Sequence, residues 1–403
     1  MKKRIISAAF LAFLFSNAIK AQDTKTDSTA YKKQKLKIEE VNFISSYYSQ
    51  DGQNSAVTGG VGTEKLTDIA TTLDIKVSRY NKNLNKQTFG FELGVDSYTS
   101  ASSDNIDPST VTSASYQDVR VYPSLNYSVE NEEKGRIYSA GISTSAEYDY
   151  FSVGGNIGFT QLSKDKNREL SLKAMVFFDT WKVILPIELR DNPDNPNYKQ
   201  NDSKPRTSYN LGLTFSQIVN KNFQMALLVD AGYQQGLLAT KFNRVYFNDI
   251  LATVKSENLP DTRFKLPIGL RTSYFLGDHI ILRGFYRYYF DNWDIKSHTF
   301  SFEPTIKLSA FSSLSIPYRY YVQTSAEYFK PIFQHQLNQE FFTSDFDLSA
   351  FSSNMIGLGY KITDSNKGLF LAKHFNSLEL RYGYYHRNNG LASHILTLAM
   401  KFK

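Results

Sequence analysis

Arginine followed by tyrosine recurs on three segments of the C-terminal half of the chain, at Arg287-Tyr288, Arg319-Tyr320 and Arg381-Tyr382. A guanidinium group is permanently charged and binds carboxylate or phosphate oxygens through paired hydrogen bonds. The even-numbered neighbours in each segment are mostly apolar, so in a β-strand the arginines lie on the opposite, polar face. Strands are about 4.8 Å apart, which places arginines on alternate strands roughly 10 Å from one another. The spacing therefore predicts a row of cations along one wall of a sheet.

Other charged side chains share the predicted polar face, and they allow two interpretations. They are Arg263, Lys265, Arg271, Arg283, Glu303, Glu327 and Glu379. If the wall encloses a channel, a basic surface favours anions, because rings of arginine or lysine select them. The three glutamates offer a simpler interpretation, in which the arginines make cross-strand ion pairs that brace the wall. The sequence leaves both interpretations open.

The segments that carry these residues alternate between apolar and polar residues, as strands with one apolar face do. The clearest runs from Ile69 to Val77, where apolar residues dominate the odd positions. Sixteen such segments are predicted, near 39–49, 66–80, 87–98, 119–130, 136–149, 151–162, 169–184, 206–219, 223–236, 263–276, 279–290, 296–308, 314–328, 350–363, 375–386 and 391–403. We therefore expect an all-β protein with about sixteen antiparallel strands, within a range of 14–18.

The connections between these segments alternate in length. The even-numbered connections are mostly short and polar, whereas every long one is odd-numbered, at 50–65, 99–118, 185–205, 237–262 and 329–349. Outer-membrane barrels have an even strand number, short periplasmic turns and long outer loops. The pattern predicts a transmembrane up-and-down β-barrel over 38–403.

The N-terminus has the composition of a secretory signal peptide, with Lys2, Lys3 and Arg4 before an apolar stretch. Cleavage after Ala18 or Ala21 would remove it, and we assign 1–21 as signal peptide and 22–37 as a polar periplasmic tail. Removal takes away four of the positive charges behind the formal net charge of +7. A mature charge of about +3 is no signature of nucleic-acid binding. The chain has no cysteine, which excludes disulfides and thiolate metal sites.

Beyond the signal peptide, the sequence contains no apolar stretch near the roughly 18 residues that a spanning helix requires. A membrane location therefore requires a closed barrel in contact with outer-membrane lipid. The last segment places Leu396, Leu398, Met400 and Phe402 on one face. An aromatic residue near the C-terminus resembles the signal that barrel-assembly machinery recognises, although Phe402 precedes the terminus by one residue.

Several segments resemble an uncharacterised family of outer-membrane barrels catalogued as domain of unknown function 3570. They are YRYYFDNW at 286–293, KSHT at 296–299, YRYYVQTSA at 318–326, NLPDTR at 258–263 and VDSYTSAS at 95–102. The resemblance covers most of the mature chain and implies a barrel in the outer membrane of a Gram-negative cell. It implies no activity, although the family's gene neighbourhoods suggest a link to envelope redox partners.

No cofactor, metal site or enzymatic activity is predicted. Ser297 and His298 are adjacent, but successive residues of a strand face opposite sides and cannot act as nucleophile and base. The acidic loops at 103–107 and 191–202 match no ordered calcium-binding pattern. The leading hypothesis is a porin-like or substrate-selective channel for small polar solutes, with the basic wall favouring anions. The alternative is a binding or assembly module with an occluded lumen, in which the long loops fold inward and hold an envelope partner.

Overall fold

The computed structural model describes residues 35–99, 117–190, 202–364, 369 and 374–403. Over these ranges about two thirds of the residues lie in β-strands, and helix is limited to short 3₁₀ turns. The strands are β1 (Lys37–Asp51), β2 (Leu66–Tyr80), β3 (Lys86–Thr99), β4 (Gln117–Asn131), β5 (Arg136–Ala146), β6 (Tyr150–Leu162), β7 (Arg168–Lys182), β8 (Ser203–Asn220), β9 (Phe223–Gly236), β10 (Arg244–Tyr246), β11 (Val254–Ser256), β12 (Thr262–Leu276), β13 (Ile280–Asp291), β14 (Lys296–Lys307), β15 (Ser312–Ser315), β16 (Tyr318–Gln323), β17 (Phe351–Thr363), β18 (Phe375–Arg387) and β19 (Ala392–Phe402). Short 3₁₀ turns lie at Ala56–Thr58, Ile187–Leu189 and Phe346–Leu348.

The strands close into one antiparallel barrel. Each pairs with the next around the wall, and β1 completes the circle by pairing with β19 from Val41↔Phe402 to Asp51↔Ala392. β10 and β11 form a separate hairpin within a loop. β15 and β16 are two halves of one wall strand, because both keep the same register against β14 and β17. Pro317 interrupts that strand since proline has no amide hydrogen to donate. The barrel therefore has sixteen strands, and the predicted fold is confirmed.

The strand ends agree with the sequence-based segments to within about three residues, with one exception. The thirteenth segment was expected to run to 328, but β16 ends at Gln323. Beyond it the amide of Ala326 donates to the carbonyl of Leu348 in the same loop, and the amide of Glu327 donates to that of Trp293 in another connection, so neither pairs with a neighbouring strand. Glu327 is thus a loop residue, and its predicted place on the wall is wrong.

Contacts between distant strands identify the concave face of the barrel. Arg381 in β18 reaches Glu303 in β14 at 3.1 Å, across β15/β16 and β17. Such a contact is possible only inside a curved wall. The opposite face carries the exposed apolar residues, among them Ile69, Ile142 and Leu396. The described part of the chain has no helix that is both long and apolar enough to cross a membrane.

Tyrosine and histidine form a belt on the convex face near one end of the barrel. The hydroxyl of Tyr286 lies 2.8 Å from Nδ1 of His298, and Tyr382 lies 2.7 Å from Nδ1 of His394. Tyrosine in such a belt suits the membrane–water boundary, because its ring is apolar and its hydroxyl polar. His298 faces outward, whereas Ser297 is buried on the concave side, as predicted for neighbouring strand residues.

The connections alternate in length around the barrel, as predicted. At one end lie the short turns 81–85, 132–135, 163–167, 221–222, 277–279 and 308–311. The long loops 52–65, 237–261 and 324–350 leave from the other end, which we call the outer end. Three described connections there are short, at 147–149, 292–295 and 388–391. The signal peptide, the residues up to 34 and the acidic loop at 103–107 lie outside the described residues, as does nearly all of 191–202.

Glycines in the wall make room for aromatic rings on adjacent strands. The ring of Tyr122 lies against Gly94, so a Cβ at Gly94 would come within 2.0 Å of its Cε2. Phe177 covers Gly154 in the same way, with a corresponding distance of 2.5 Å. Gly90 is different, since the nearest atom to its Cβ position is Cβ of Asn126 at 3.7 Å. The wall therefore tolerates side chains at some glycines and not at others.

We predict that Gly94→Ala destabilises the barrel by about 1–3 kcal/mol, because the added methyl group forces the Tyr122 ring off the wall. The measurement is the urea midpoint of protein refolded in detergent micelles, followed by the migration difference between folded and boiled samples. Gly90→Ala is the matched control on the same strand and face, and should unfold at the wild-type midpoint. Equal midpoints for the two variants would contradict the packing role of Gly94.

Candidate functional site: the lumenal wall and the mouth cap

Nine of the ten charged residues singled out in the sequence lie on concave-face positions of the wall. β12 carries Arg263, Lys265 and Arg271, and β13 carries Arg283 and Arg287. The remaining positions are Glu303 on β14, Arg319 on β16, and Glu379 and Arg381 on β18. The tenth, Glu327, is exposed in the loop after β16.

Some of these cations are neutralised by neighbouring carboxylates. Glu303 lies 3.1 Å from both Arg283 and Arg381, and Glu379 also pairs with Arg381. Arg263 pairs with Asp291 at the outer end and stacks 4.2 Å above the ring of Trp293. For this subset the bracing interpretation fits, because each charge is matched across strands.

Arg271, Arg287 and Arg319 form a second group. Among the residues that the structure describes, no carboxylate oxygen lies within 4.0 Å of their guanidinium nitrogens. All three are exposed to the lumen. The polar contact of Arg319 is with the sulfur of Met355, at 3.4 Å. The arginines of the wall thus divide into a braced set and a set without a direct ion pair, which we call uncompensated, although the charge of Asp230 acts on Arg287 from beyond 4.0 Å. The sequence did not indicate this division.

Lumenal charge is also distributed unevenly around the barrel. The strands β1–β7 carry mainly carboxylates, namely Glu40, Asp68, Asp74, Glu92, Asp96, Asp118, Glu130, Glu169 and Asp179, against Lys76, Lys86, Arg120 and Lys173. The strands β8–β19 carry mainly cations, namely Lys204, Arg206, Arg263, Lys265, Arg271, Arg283, Arg287, Lys307, Arg319, Lys361, Arg381, Arg387 and Lys401, against Asp230, Asp291, Glu303 and Glu379. An acidic wall therefore faces a basic wall across the lumen, and a transverse field results.

Outer loops meet over the opening of the barrel and form what we call the mouth cap. They are the long loops 52–65, 237–261 and 324–350, the segment 183–190 and the short connection 292–295. Arg244 joins three of them. Its guanidinium pairs with Glu188 of the β7–β8 loop and donates to the carbonyl of Val57 in the β1–β2 loop at 3.0 Å. These loops are rooted on strands separated by β3–β6, so they can touch only by extending over the opening.

The mouth cap has its own hydrophobic core. Val57 packs against Ile184 and Phe242, which belong to three different loops. Phe247 is fully buried with Val245 and Phe342, and Trp293 is only 2% exposed beside Leu259 and Ala239. Sequence reasoning raised inward folding of loops 237–262 and 329–349 as an alternative. It did not identify Arg244 or this core, because the contacts join residues far apart in the chain.

One buried acid, Glu257, links the two largest loops of the mouth cap. Glu257 is 2% exposed and accepts hydrogen bonds from the Thr343 hydroxyl at 2.5 Å and the Thr240 amide at 2.6 Å. Burial raises the pKa of Glu257 above its ordinary value. Burial, with the nearby carboxylates of Asp347 and Glu257, raises the pKa of Asp345 to about 8. Asp347 is in turn held to the wall by Arg387, at 2.5 Å.

Three acidic residues lie together at the outer rim beside β4 and β6. The carboxylates of Asp118, Glu147 and Asp149 have oxygens within 4.8 Å of one another. Tyr98 donates to Glu147, and Arg120 lies 3.5 Å from it. Tyr98 and Arg120 therefore already bind one carboxylate of this cluster, and these contacts join neighbouring strands at the rim.

Several solved structures match most of this chain at low sequence identity. OccK1 from Pseudomonas aeruginosa matches with a TM-score of 0.41 and 7% identity, covering 90% of this chain and 97% of that one. OprD from the same organism gives 0.43 and 9%, covering 91% and 93%. A BenF-like porin from Pseudomonas fluorescens gives 0.42 and 9%, covering 90% and 98%. This similarity concerns the fold alone.

A search of curated protein sequences finds no match. The model of the family described as "Protein of unknown function (DUF3570)" matches residues 5–398, which is nearly the whole chain. The resemblance noted in the sequence is thereby confirmed. The chain is an outer-membrane-type β-barrel and belongs to the DUF3570 family.

Proposed function

We propose that this protein is a substrate-selective channel of the outer membrane that favours small polar anions. The observation that carries the proposal is the set of three uncompensated, lumen-exposed arginines: Arg271, Arg287 and Arg319. A braced arginine contributes little net field, because its carboxylate partner cancels the charge. An unpaired guanidinium attracts a passing anion, and in a lumen with low-dielectric walls that attraction acts over several ångströms.

The size of the barrel supports the same proposal. Barrels of 16–18 strands enclose an aqueous channel, whereas eight-stranded barrels are filled by side chains. The acidic wall opposite the arginines attracts cationic groups, so a dipolar or anionic solute would be oriented as it passes. We also propose that the protein reaches the outer membrane after cleavage of its signal peptide. The barrel-assembly machinery would recognise the terminal strand, which contains Phe402.

Replacing Arg271, Arg287 and Arg319 together by glutamine should lower the anion-to-cation permeability ratio by about threefold or more. One unit charge about 7 Å away contributes roughly 0.6 kcal/mol in water, and three are removed. The measurement is the reversal potential in a planar bilayer under a salt gradient. The triple lysine variant keeps the charges and should retain the wild-type ratio. An unchanged ratio in the glutamine variant would refute selection by these arginines.

The mouth cap favours a second candidate function, a binding or assembly module whose outer opening is covered. The outer loops pack around buried apolar side chains and so form an ordered unit. This unit lies where a solute from outside would enter. The two candidates differ in whether ions pass through the wild-type protein. If the protein is a channel, the cap must open or leave a path beside it.

Locking the mouth cap should distinguish these candidates. The chain has no cysteine, so Val57→Cys with Ile184→Cys introduces one unique pair between contacting loops. If conduction requires cap movement, the oxidised pair should suppress the bilayer current and a reductant should restore it. Each single cysteine variant serves as the control. Wild-type current in the locked barrel would show that solutes bypass the cap. Absence of current in every form, including a variant lacking 237–261, would favour the second candidate.

Acidic pH should tighten the mouth cap. The pKa of Asp345 is raised in the folded cap, so between about pH 4 and 8 the carboxyl is protonated there but ionised in unfolded loops. The folded cap binds more protons, and its stability therefore falls as pH rises through this window. Open probability in the bilayer should increase from pH 5.5 to 8. Asp345→Asn removes the group and should reduce this dependence, although Glu257 contributes with the same sign. An unaltered pH dependence in that variant would contradict the assignment.

A further inference from the structure

Two of the three uncompensated arginines, Arg271 and Arg319, border a recess in the lumenal wall. The recess has a volume of about 300 Å³ and is lined by Arg271, Phe285, Ser301, Arg319 and Met355, among others. These five residues occupy one continuous row, because each is the register partner of the next across β12, β13, β14, β16 and β17. The recess is therefore fixed by strand pairing, not by a mobile loop.

The chemistry of the row is amphipathic. Phe285 lies against Gly269 of β12, where a Cβ would come 3.2 Å from the ring. Its ring lies on the lumenal face, where it offers an apolar surface beside Arg271. Ser301 is small and leaves space between Phe285 and Arg319. Met355 adds a second apolar side chain, and its sulfur lies 3.4 Å from Arg319.

Two unpaired cations flank this apolar floor. Arg271 and Arg319 are three strand spacings apart, about 14 Å along the wall, and both side chains are long enough to reach toward Phe285. Glu303 and Arg283 also line the recess, but they pair with each other, and Glu303 pairs in addition with Arg381. The net charge available to a ligand is thus positive.

We propose that this recess is a binding site for organic monoanions with an aromatic or apolar body, such as aromatic carboxylates. The carboxylate accepts charge-assisted hydrogen bonds from Arg271 or Arg319, and the body packs on Phe285 and Met355. A simple inorganic anion would gain only the charge interaction and would leave Phe285 and Met355 exposed to water. This inference rests on the proposed anion channel, whose selectivity it deepens, but binding can be measured without conduction.

The test uses the folded protein in detergent micelles and three probes: benzoate, its neutral amide benzamide, and acetate. Saturation-transfer NMR reports binding of each. Benzoate should bind at least about tenfold more tightly than benzamide, which lacks the charge, or acetate, which lacks the ring. Equal binding of benzoate and acetate would show a site for anions in general. Equal binding of benzoate and benzamide would show that the arginines are not used. Either result overturns the proposal.

Variants locate the site. Arg271→Gln and Arg319→Gln should each weaken benzoate binding by about tenfold, and Phe285→Ser should reduce benzoate to the level of acetate. Lys173→Gln is the matched control, because it removes an exposed lumenal cation from β7, three strands from β12 and outside the recess. Folding of every variant is checked by its migration difference on gels. Wild-type affinity in all three recess variants would refute the site. Benzoate binding by a barrel that passes no current would refute the channel and leave this inference standing.

Discussion

Every backbone amide and carbonyl that faces lipid must be hydrogen-bonded within the protein, because the bilayer core offers no water to replace a missing partner. A sheet can meet this requirement only by closing, and the pairing of β1 with β19 closes this one. The one interrupted wall strand illustrates how strict the requirement is. Pro317 removes a donor, yet its carbonyl still accepts from Gly357, and the register on both sides of the break is unchanged. The single barrel, its two faces and its two ends all follow from that closure.

Closure reverses the usual arrangement of a folded protein. The apolar residues of the wall face outward to lipid, and the interior is polar, with small buried hydroxyls such as Ser297, Thr299 and Ser353 among charged side chains. A charged side chain in such an interior either forms an ion pair that joins neighbouring strands or stays unpaired and available to a solute. Glu303, with Arg283 and Arg381, shows the first use, and Arg319 shows the second. Only arginines without a carboxylate partner, such as Arg319, remain available to bind a solute in the lumen.

The hydrophobic core that a soluble domain would have at its centre is found here at the outer end. Phe247, Phe342 and Trp293 are buried among loops, not strands. Loops of this length cost conformational entropy to order, and burial of aromatic side chains offsets that cost. Arg244 fixes how three of these loops pack together, because its two partners come from loops that leave well-separated strands. The cap is therefore a compact unit at the opening of the barrel, and burial raises the pKa of two acids within it, Glu257 and Asp345.

The sequence by itself determined the strands, their number and the face of nearly every wall residue. This was possible because alternation is a local property: from Ile69 to Val77 each side chain follows from its neighbour's position. It also placed Arg287, Arg319 and Arg381 on one polar face. Only the tertiary structure decided which of them are neutralised, because pairing depends on strands that are distant in sequence, as with Arg381 and Glu303. The position of Glu327 also depended on distant contacts. Local alternation predicted that it lies on a strand, whereas its amide bonds to Trp293 and it lies in a loop. The mouth cap and the row from Arg271 to Met355 likewise depend on which segments become neighbours when the barrel closes, and no local pattern contains that information.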